Sequence, residues 1–160
     1  MSSIIQGESI KLPDGITCMR ATEEWQRAGA YSVRIQGMNR QHNISLREEF
    51  DEHDCEGTRY IILLDGTYPV ATCRFYELDS STATIGRVVV LPEYRGKKLG
   101  RIVIKFAEEW IAELGYKTIV VDSRIEVVDF YSKLGYQLAD GMNNVARNGV
   151  FDCIKMLKAL

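Results

Sequence analysis

"VVVLPEYRGKKLG", residues Val88 to Gly100, joins a run of β-branched residues to an amphipathic segment through a turn rich in glycine and basic residues. The valines favour a buried strand. Leu99 to Leu114 carries apolar residues at steps of three and four, which predicts a helix that ends at Gly115. A strand that runs directly into a helix leaves backbone N–H groups unpaired where the helix dipole favours negative charge. The turn is therefore a candidate phosphate-binding site.

Other interpretations of this turn are open. The basic residues could equally form a solvated helix start, with the glycines serving only to reverse the chain. A Walker-type phosphate loop is excluded, because no Ser or Thr follows Lys98 to hold magnesium and the glycine spacing differs. The dinucleotide-binding fingerprint also fails, since Gly96 and Gly100 supply only a G-x-x-x-G pattern.

Composition narrows the class of protein. With 160 residues, of which 46% are hydrophobic and 26% charged, the chain is expected to form a single globular domain, residues 1–160. Its net charge of −2 argues against binding of nucleic acid or anionic membrane. No apolar stretch is long enough for a membrane span and no signal segment is evident, so a cytoplasmic location is expected. The four cysteines lack metal-ligand spacing, which predicts reduced thiols and no metal site.

The remaining chain alternates strand and helix patterns and includes one acidic segment without periodicity, Gln41 to Gly57. The predicted order is β-α-β-β-β-α-β-α-β, an α/β (α+β) domain with a mixed central sheet flanked by helices. The elements outside the opening stretch are a strand at 15–20, a helix from Thr22 to about Gly37, strands at 58–65, 67–78 and 82–91, a strand at 118–122, a helix at 126–134, and strands at 136–138 and 150–157.

The segment from Val88 to Leu138 resembles the acetyl-CoA-binding core of the GNAT superfamily of N-acetyltransferases. The valine strand, the R-G-x-x-x-G turn, the long helix, the buried strand "TIVVD" and "FYSKLGY" follow one another in the order and spacing of that family. "REEFDEHD" upstream and "GVFDCIKMLK" downstream are similar to its ElaA/YjcF-like branch. The resemblance implies the GNAT fold, with helices on both faces of the sheet, and acetyl-CoA as co-substrate without a metal.

The resemblance also implies a set of coenzyme contacts. Backbone groups of Val88 to Leu91 would pair with the pantetheine arm, as an added strand would. Backbone N–H groups from Gly96 to Gly100 would hold the pyrophosphate, although Lys98 stands where the family loop usually has glycine. The candidate cofactor-binding residues are Val88, Val89, Val90, Leu91, Arg95, Gly96, Lys97, Lys98, Leu99, Gly100, Arg101, Arg124, Phe130 and Tyr131.

Candidate catalytic residues follow from the same resemblance. Tyr131 matches the tyrosine that would protonate the departing thiolate, although it could instead be a packing residue. Carboxylates could attract a cationic amine and relay its proton, so Glu49, Asp51 and Asp54 are predicted near the acceptor, with Glu49 or His53 as base. A solvated acidic loop is an equally open interpretation of that segment, and a metal site there is disfavoured by the crowded spacing.

The acceptor is not specified by the sequence. A small-molecule amine is expected and a protein lysine is the alternative, with direct transfer favoured over a covalent acetyl-enzyme. Cys153 is the cysteine that would carry such an intermediate. A non-catalytic acetyl-CoA-binding module is the competing function, and the presence of Tyr131 favours an enzyme. An exposed strand edge near the C-terminus would permit a homodimer.

Overall fold

The computed structural model describes residues 2–5, 8–139, 145–148 and 151–160. Ten strands and five helices are formed within these ranges. The strands are β1 Ser2–Ile5, β2 Glu8–Lys11, β3 Ile16–Arg20, β4 Arg59–Asp65, β5 Tyr68–Asp79, β6 Thr82–Val90, β7 Thr118–Arg124, β8 Gln137–Leu138, β9 Val145–Asn148 and β10 Phe151–Ala159. The helices are α1 Glu24–Arg34, α2 Arg40–His42, α3 Leu46–Glu49, α4 Leu99–Glu113 and α5 Val128–Lys133, with a π-helical turn, Ile35–Asn39, between α1 and α2.

The central sheet has the strand order β3-β4-β5-β6-β7-β10-β8, and β9 lies beside β10 on the same edge as β8. Only β6 and β7 run parallel, because α4 crosses over between them. All other neighbours in this sheet are antiparallel. The predicted mixed sheet with one strand-helix-strand crossover is confirmed.

Helices cover both faces of the sheet. Alternation along β4 shows this directly, because successive side chains of a strand point to opposite faces. Tyr60, Ile62 and Leu64 pack in one cluster with Ala30 of α1. The intervening residues Ile61 and Leu63 belong to a second, larger cluster that contains the buried side of α4: Leu99, Ile102, Val103, Ile104, Ala107 and Ile111.

The parallel pair β6–β7 separates partway along its length. Hydrogen-bonded pairing covers only Thr82–Ile85 of β6, opposite 118–121 of β7, although β6 continues to Val90. A bulge begins where the pairing stops: Arg87 and Val88 together oppose Cys73 of β5. Arg87 has a φ of 49°. A bulge bends its strand and increases its twist, so β6 leads away from β7 and a cleft opens between them.

Three elements are additional to the predicted order. The β1–β2 hairpin forms a separate two-stranded sheet at the N-terminus, and β9 lies in the predicted loop before β10. The third, α3, is the single helical turn that the acidic segment left open. The helix cap also differs from the predicted Thr22: Glu23 is the N-cap and forms a capping box with Gln26. Val150, the predicted first residue of the last strand, lies outside the described residues. No described helix combines the length and hydropathy of a membrane span.

Candidate active site

A cleft of about 720 Å³ occupies the gap between β6 and β7. Its walls include the bulged half of β6, the end of β7 with α5, the strand β10, the acidic segment 48–53 and two side chains of β5. The lining residues that bear on the chemistry are Glu48, Asp51, Glu52, His53, Arg74, Tyr76, Arg87, Val88, Val89, Asp122, Arg124, Phe130, Tyr131, Cys153 and Lys155. The geometry thus brings the predicted coenzyme strand, Tyr131 and part of the acidic segment to one cavity.

The π-helical turn between α1 and α2 closes one side of the cleft. Met38 of this turn lines the cavity. Gly37 approaches β6 so closely that a Cβ atom there would clash with Val89. A π-helical turn inserts an extra residue into a helix and is often found at functional sites. Here it lets α1 continue into a segment that packs against the predicted coenzyme strand.

The glycine-rich turn has the conformation that the sequence suggested. Gly96 has a φ of 82°, and Lys98, the N-cap of α4, has a φ of 63°. The first backbone bond into the helix runs from the N–H of Ile102 to the carbonyl of Lys98, at 3.3 Å. The preceding N–H groups lie in the first turn, where a helix provides no acceptor. No side chain caps this end and its first turn carries no acidic residue.

Lys98 adopts the left-handed conformation despite its side chain, at a cost of about 1 kcal/mol. Its backbone is therefore held in the geometry that a glycine would adopt without strain. Leu99 is buried, so only its backbone faces the turn. The basic side chains are exposed, and two have partners: Arg95 Nε donates to the carbonyl of Val90 at 3.3 Å, and Lys97 Nζ lies 5.1 Å from the ring centre of Tyr94.

Close packing connects this turn to the cleft. A Cβ added to Gly100 would lie 3.6 Å from Phe130 Cζ and 3.8 Å from Val90 Cγ2, in ordinary van der Waals contact. The helix start, the end of β6 and α5 therefore meet at one point. Arg101, also predicted to bind the coenzyme, is exposed on the first turn of α4.

Tyr131 lies in the wall of the cleft and is 7% exposed. Its ring packs edge-on against Phe130, at 5.1 Å between centroids, and against Tyr136, at 5.6 Å. Burial raises the pKa of the Tyr131 hydroxyl, and the neighbouring Cys73 and Cys153 raise it further. The hydroxyl therefore stays protonated at neutral pH and can donate a hydrogen bond.

Cys153 and Arg124 lie opposite each other in the β7–β10 register. Cys153 is 6% exposed, and burial, reinforced by Asp122, raises the pKa of its thiol. A protonated thiol is a poor nucleophile. The guanidinium of Arg124 stacks 4.1 Å from the ring centre of Phe151, and its Nη2 donates to Glu126 Oε1 at 2.6 Å. Arg124 lines the cleft with its charge already paired.

Arg34 of α1 forms the centre of a buried ion-pair network with the acidic segment. The side chain is 0% exposed, and its Nε donates to Glu49 Oε2 at 2.9 Å. Its two terminal nitrogens donate to both carboxylate oxygens of Asp54, at 2.6 and 2.9 Å. The ring of Phe50 lies 4.2 Å from the guanidinium carbon. This stacking and the bidentate pair are contacts that arginine makes and lysine cannot.

Two further arginines extend the network towards the cleft. Arg74 of β5 donates to both oxygens of Asp51, at 2.9 and 3.0 Å, and also pairs with Asp54 at 2.9 Å. Arg87 of β6 pairs with Glu49 at 3.1 Å and with Asp51 at 3.2 Å. Three carboxylates are thus balanced by three guanidinium groups. Glu49, Asp51 and Asp54 are therefore paired, whereas Glu48, Glu52 and Glu56 of the same segment are exposed to solvent.

The three carboxylates predicted near the acceptor differ in their exposure to solvent. Glu49 is 3% exposed, Asp54 has a 6% exposed side chain, and neither lines the cleft. Asp51, with a 25% exposed side chain, does line it. Burial alone raises the pKa of Asp54, but hydrogen bonds from Arg34 and Tyr60 hold it well below its ordinary value.

The pKa of Asp51 is likewise lowered. Burial opposes this shift, and the hydrogen bond and charge of Arg74 overcome it. Both Asp51 and Asp54 are therefore ionised at neutral pH and serve as acceptors for arginine.

His53 is the base candidate that faces the cleft. Its side chain is 43% exposed and stacks parallel to the ring of Tyr76, at 4.3 Å between centroids. The backbone fixes its place, because its N–H donates to Asp51 Oδ1 at 3.0 Å and its carbonyl accepts the hydroxyl of Thr58. Within the described ranges, no three His, Cys, Asp or Glu side chains are arranged to hold a metal ion.

The comparisons with known proteins agree with this geometry. The model of the acetyltransferase (GNAT) family matches residues 19–136. The chain belongs to the GNAT family of acetyltransferases. It is 29% identical over 118 residues to the uncharacterized N-acetyltransferase YjcF of Bacillus subtilis, which covers 74% of this chain and 83% of that protein.

Two crystal structures share the GNAT fold of this chain. A protein from Lactobacillus plantarum has a TM-score of 0.83 at 25% identity, with 92% of this chain and 99% of that one covered. Escherichia coli ElaA has a TM-score of 0.75 at 19% identity, with 89% and 99% covered. The predicted ElaA/YjcF-like branch is supported by the likeness to YjcF and is consistent with the fold shared with ElaA.

Proposed function

We propose that this GNAT acetyltransferase transfers the acetyl group of acetyl-CoA directly to a primary amine in the cleft between β6 and β7. One observation carries the proposal: β6 stops pairing with β7 after Ile85 while it stays paired with β5, and the chain then leads through the turn 91–98 to the uncapped start of α4. An extended ligand with a phosphate at one end fits this path, since it could pair with β6 and place its charge at the helix start.

The coenzyme contacts divide between strand and turn. The backbone of Val88, Val89 and Val90 would bind the pantetheine arm. Leu91 is a weaker partner than the sequence suggested, because its N–H already donates to the carbonyl of Val70 at 2.9 Å. Backbone N–H groups between Gly96 and Arg101 would hold the pyrophosphate, with the exposed basic side chains adding charge. Phe130 would contact the coenzyme beside Gly100.

The reaction requires a neutral amine, a stabilised oxyanion and a protonated leaving group. His53, acting through water, would take the proton of the ammonium form. The amine nitrogen attacks the thioester carbonyl, and a backbone N–H near Val90 would stabilise the oxyanion. Attack forms the C–N bond and a tetrahedral intermediate, and collapse of this intermediate breaks the C–S bond. Tyr131 would donate its proton to the departing thiolate and regain one from the acetylated nitrogen through water, which leaves a neutral amide and free coenzyme A.

Glu49 takes a different role in this proposal from the one expected of it. A carboxylate that is 3% exposed and paired with Arg34 and Arg87 has no path to an amine in the cleft. We assign Glu49 and Asp54 to the support of the acceptor wall, and we retain Asp51 as the carboxylate that reaches the substrate.

Charge balance in the cleft bears on the acceptor. Among the described lining residues, acidic side chains are matched by an equal number of basic ones: Glu48, Asp51, Glu52 and Asp122 against Arg74, Arg87, Arg124 and Lys155. Such a surface offers little attraction to a polycation, since complementary potentials are what select charged partners. The favoured acceptor is an amine with no more than one net positive charge.

Calorimetric titration with acetyl-CoA tests the proposal, with ATP as the control for unspecific phosphate binding. Binding of acetyl-CoA at two salt concentrations supports it, and an absence of binding contradicts it. A panel of amines, monitored by thiol release, then compares glycinamide and single amino acids with spermidine. Preference for spermidine would contradict the proposed preference for an amine of low charge, but it would leave the proposed acetyl transfer intact. Binding without transfer to any amine would indicate a non-catalytic acetyl-CoA sensor.

A further inference from the structure

Arg87 occupies a position whose backbone favours glycine. Its φ of 49° lies in the left-handed region, which residues with a side chain rarely adopt. The preceding residue, Gly86, does not have a positive φ, and a Cβ there would meet no atom within 4 Å. The glycine, which could adopt a positive φ without strain, is therefore at position 86, whereas the positive φ is at position 87. A side chain held at such a position points to a role for that side chain.

The Arg87 side chain connects the bulge of β6 to the acidic segment. It is 18% exposed, and Nε lies 3.2 Å from the backbone carbonyl of Glu49 and 3.1 Å from Glu49 Oε2. Nη2 donates to Asp51 Oδ2 at 3.2 Å. One guanidinium thus holds both the main chain and two carboxylates of the segment.

These contacts join the two halves of the proposed reaction site. Val88 and Val89, which follow the bulge, line the cleft on the coenzyme side. Asp51 and His53 line it on the acceptor side. The backbone N–H of His53 donates to Asp51, and Asp51 also accepts a hydrogen bond from Arg87. Arg34 and Arg74 bind the same segment from α1 and β5, and Arg87 adds the link from the bulge of β6 itself. The distance between the proposed base and the proposed thioester position therefore depends on Arg87.

We propose that Arg87 is a positioning residue, which fixes residues 49–53 against the bulge of β6 so that His53 faces the thioester. The orienting role rests on the proposed function, whereas the mechanical link between the segment and β6 does not. Arg87 itself does not contact the reacting atoms.

Hydrogen–deuterium exchange and kinetics on matched variants test this role. In Arg87→Ala, exchange of peptides covering 46–56 should quicken at least fivefold, while the acetyl-CoA dissociation constant stays within twofold. With the amine that the wild type acetylates fastest, kcat should fall at least tenfold. Arg27→Ala, which removes an ion-paired arginine from α1, is the control and should change none of these.

Two further variants at position 87 separate the loss of the guanidinium contacts from an effect on folding. Arg87→Gly relieves the left-handed backbone and serves if Arg87→Ala folds poorly, and added guanidinium should restore part of its kcat. Arg87→Lys keeps the charge but loses the forked contact, so its kcat should lie between wild type and Arg87→Ala.

Unchanged exchange in the 46–56 peptides of the Arg87 variants would overturn the proposal, as would faster exchange with kcat within twofold of wild type. Failure of wild type to bind acetyl-CoA would instead reject the proposed function, and the exchange data would still decide whether Arg87 holds the segment.

Discussion

Arg34 and Asp54 form a doubly hydrogen-bonded ion pair that is shielded from solvent, with side chains 0% and 6% exposed. The two bonds run between Nη1 and Oδ1 and between Nη2 and Oδ2, at 2.6 and 2.9 Å. Asp54 Oδ1 also accepts the hydroxyl of Tyr60 at 2.7 Å. The pair therefore links helix α1 to the acidic segment and to β4, and it lies next to Asp51, which lines the cleft.

Replacing Arg34 with Ala should destabilise the protein by about 3–5 kcal/mol, because the carboxylates of Glu49 and Asp54 would be left buried without their main partner. Urea denaturation followed by circular dichroism measures this loss. The exposed pair of Arg27 with Glu24 offers the control, since Arg27→Ala should cost less than about 1 kcal/mol. Equal losses in the two variants would show that the buried network contributes no special stability.

Stability should fall in acid as the network is protonated. The pKa values of Asp51 and Asp54 are lowered in the folded state, whereas an unfolded Asp titrates near about 3.9. The stabilisation is therefore complete above about pH 4 and is lost as the pH falls from there towards the folded pKa values. Urea denaturation between about pH 2.5 and pH 6 should show a slope that Asp54→Asn reduces. Exposed Asp14→Asn is the comparison, and an identical slope in both variants would contradict this origin.

Tyr131→Phe should lower kcat by about 100-fold while the dissociation constant of acetyl-CoA stays within twofold, because the hydroxyl acts only as the thiolate departs. Thiol release and calorimetry measure the two quantities. Tyr116→Phe is the control. It removes an exposed hydroxyl that donates to Glu77 outside the cleft and should leave kcat and the dissociation constant unchanged. A Tyr131→Phe enzyme with wild-type kcat would mean that another group protonates the sulfur.

The left-handed positions of the turn should respond differently to substitution. Lys98→Gly relieves backbone strain in the folded state but raises the conformational entropy of the unfolded chain. Because these effects oppose each other, the free energy of unfolding should change by less than about 1 kcal/mol. Lys98→Val should weaken acetyl-CoA binding at least tenfold, because a β-branched residue resists a φ of 63°. Gly96→Val should act similarly at a φ of 82°. Calorimetry on folded variants measures the affinity, and unchanged binding in both would reject the turn as the phosphate site.

No acetyl group should accumulate on Cys153. Its thiol is buried with a raised pKa, so it lacks the thiolate that a covalent route needs. Intact-mass spectrometry after rapid mixing with acetyl-CoA should therefore show unmodified protein. A rapidly formed acetyl adduct that maps to Cys153 and is consumed on addition of amine would contradict direct transfer.

Local sequence patterns predicted those elements that are formed by residues close together in the chain. The strand β6, the turn and the helix α4 follow one another without interruption, and each has a strong pattern of its own. The predicted strands at 58–65 and 67–78 pair as β4 and β5, and the Asp65-Gly66 pair between them is a common hairpin signal. The β1–β2 hairpin and β9 were missed, because short strands become stable only through pairing that a local pattern does not reveal.

The partners of the acidic segment could not be read from the chain order. Arg34, Arg74 and Arg87 lie on three different elements, up to 38 residues from the groups they bind. One signal was present: Arg74 interrupts the apolar strand "VATCRFY", and a charge in a buried strand requires a partner. Its partners, Asp51 and Asp54, were not predictable, because only the tertiary fold brings the acidic segment against β5.

The sequence by itself determined the crossover unit, the glycine turn and the place of Tyr131 in the last helix, because periodicity and turn chemistry act over neighbouring residues. Only the tertiary structure decided that Glu49, Asp51 and Asp54 are paired with arginines, that His53 faces the cleft while Glu49 does not, and that Arg87 links the bulge to the acidic segment. These features depend on contacts between distant segments, and burial then selects which charges are paired and which face the cleft.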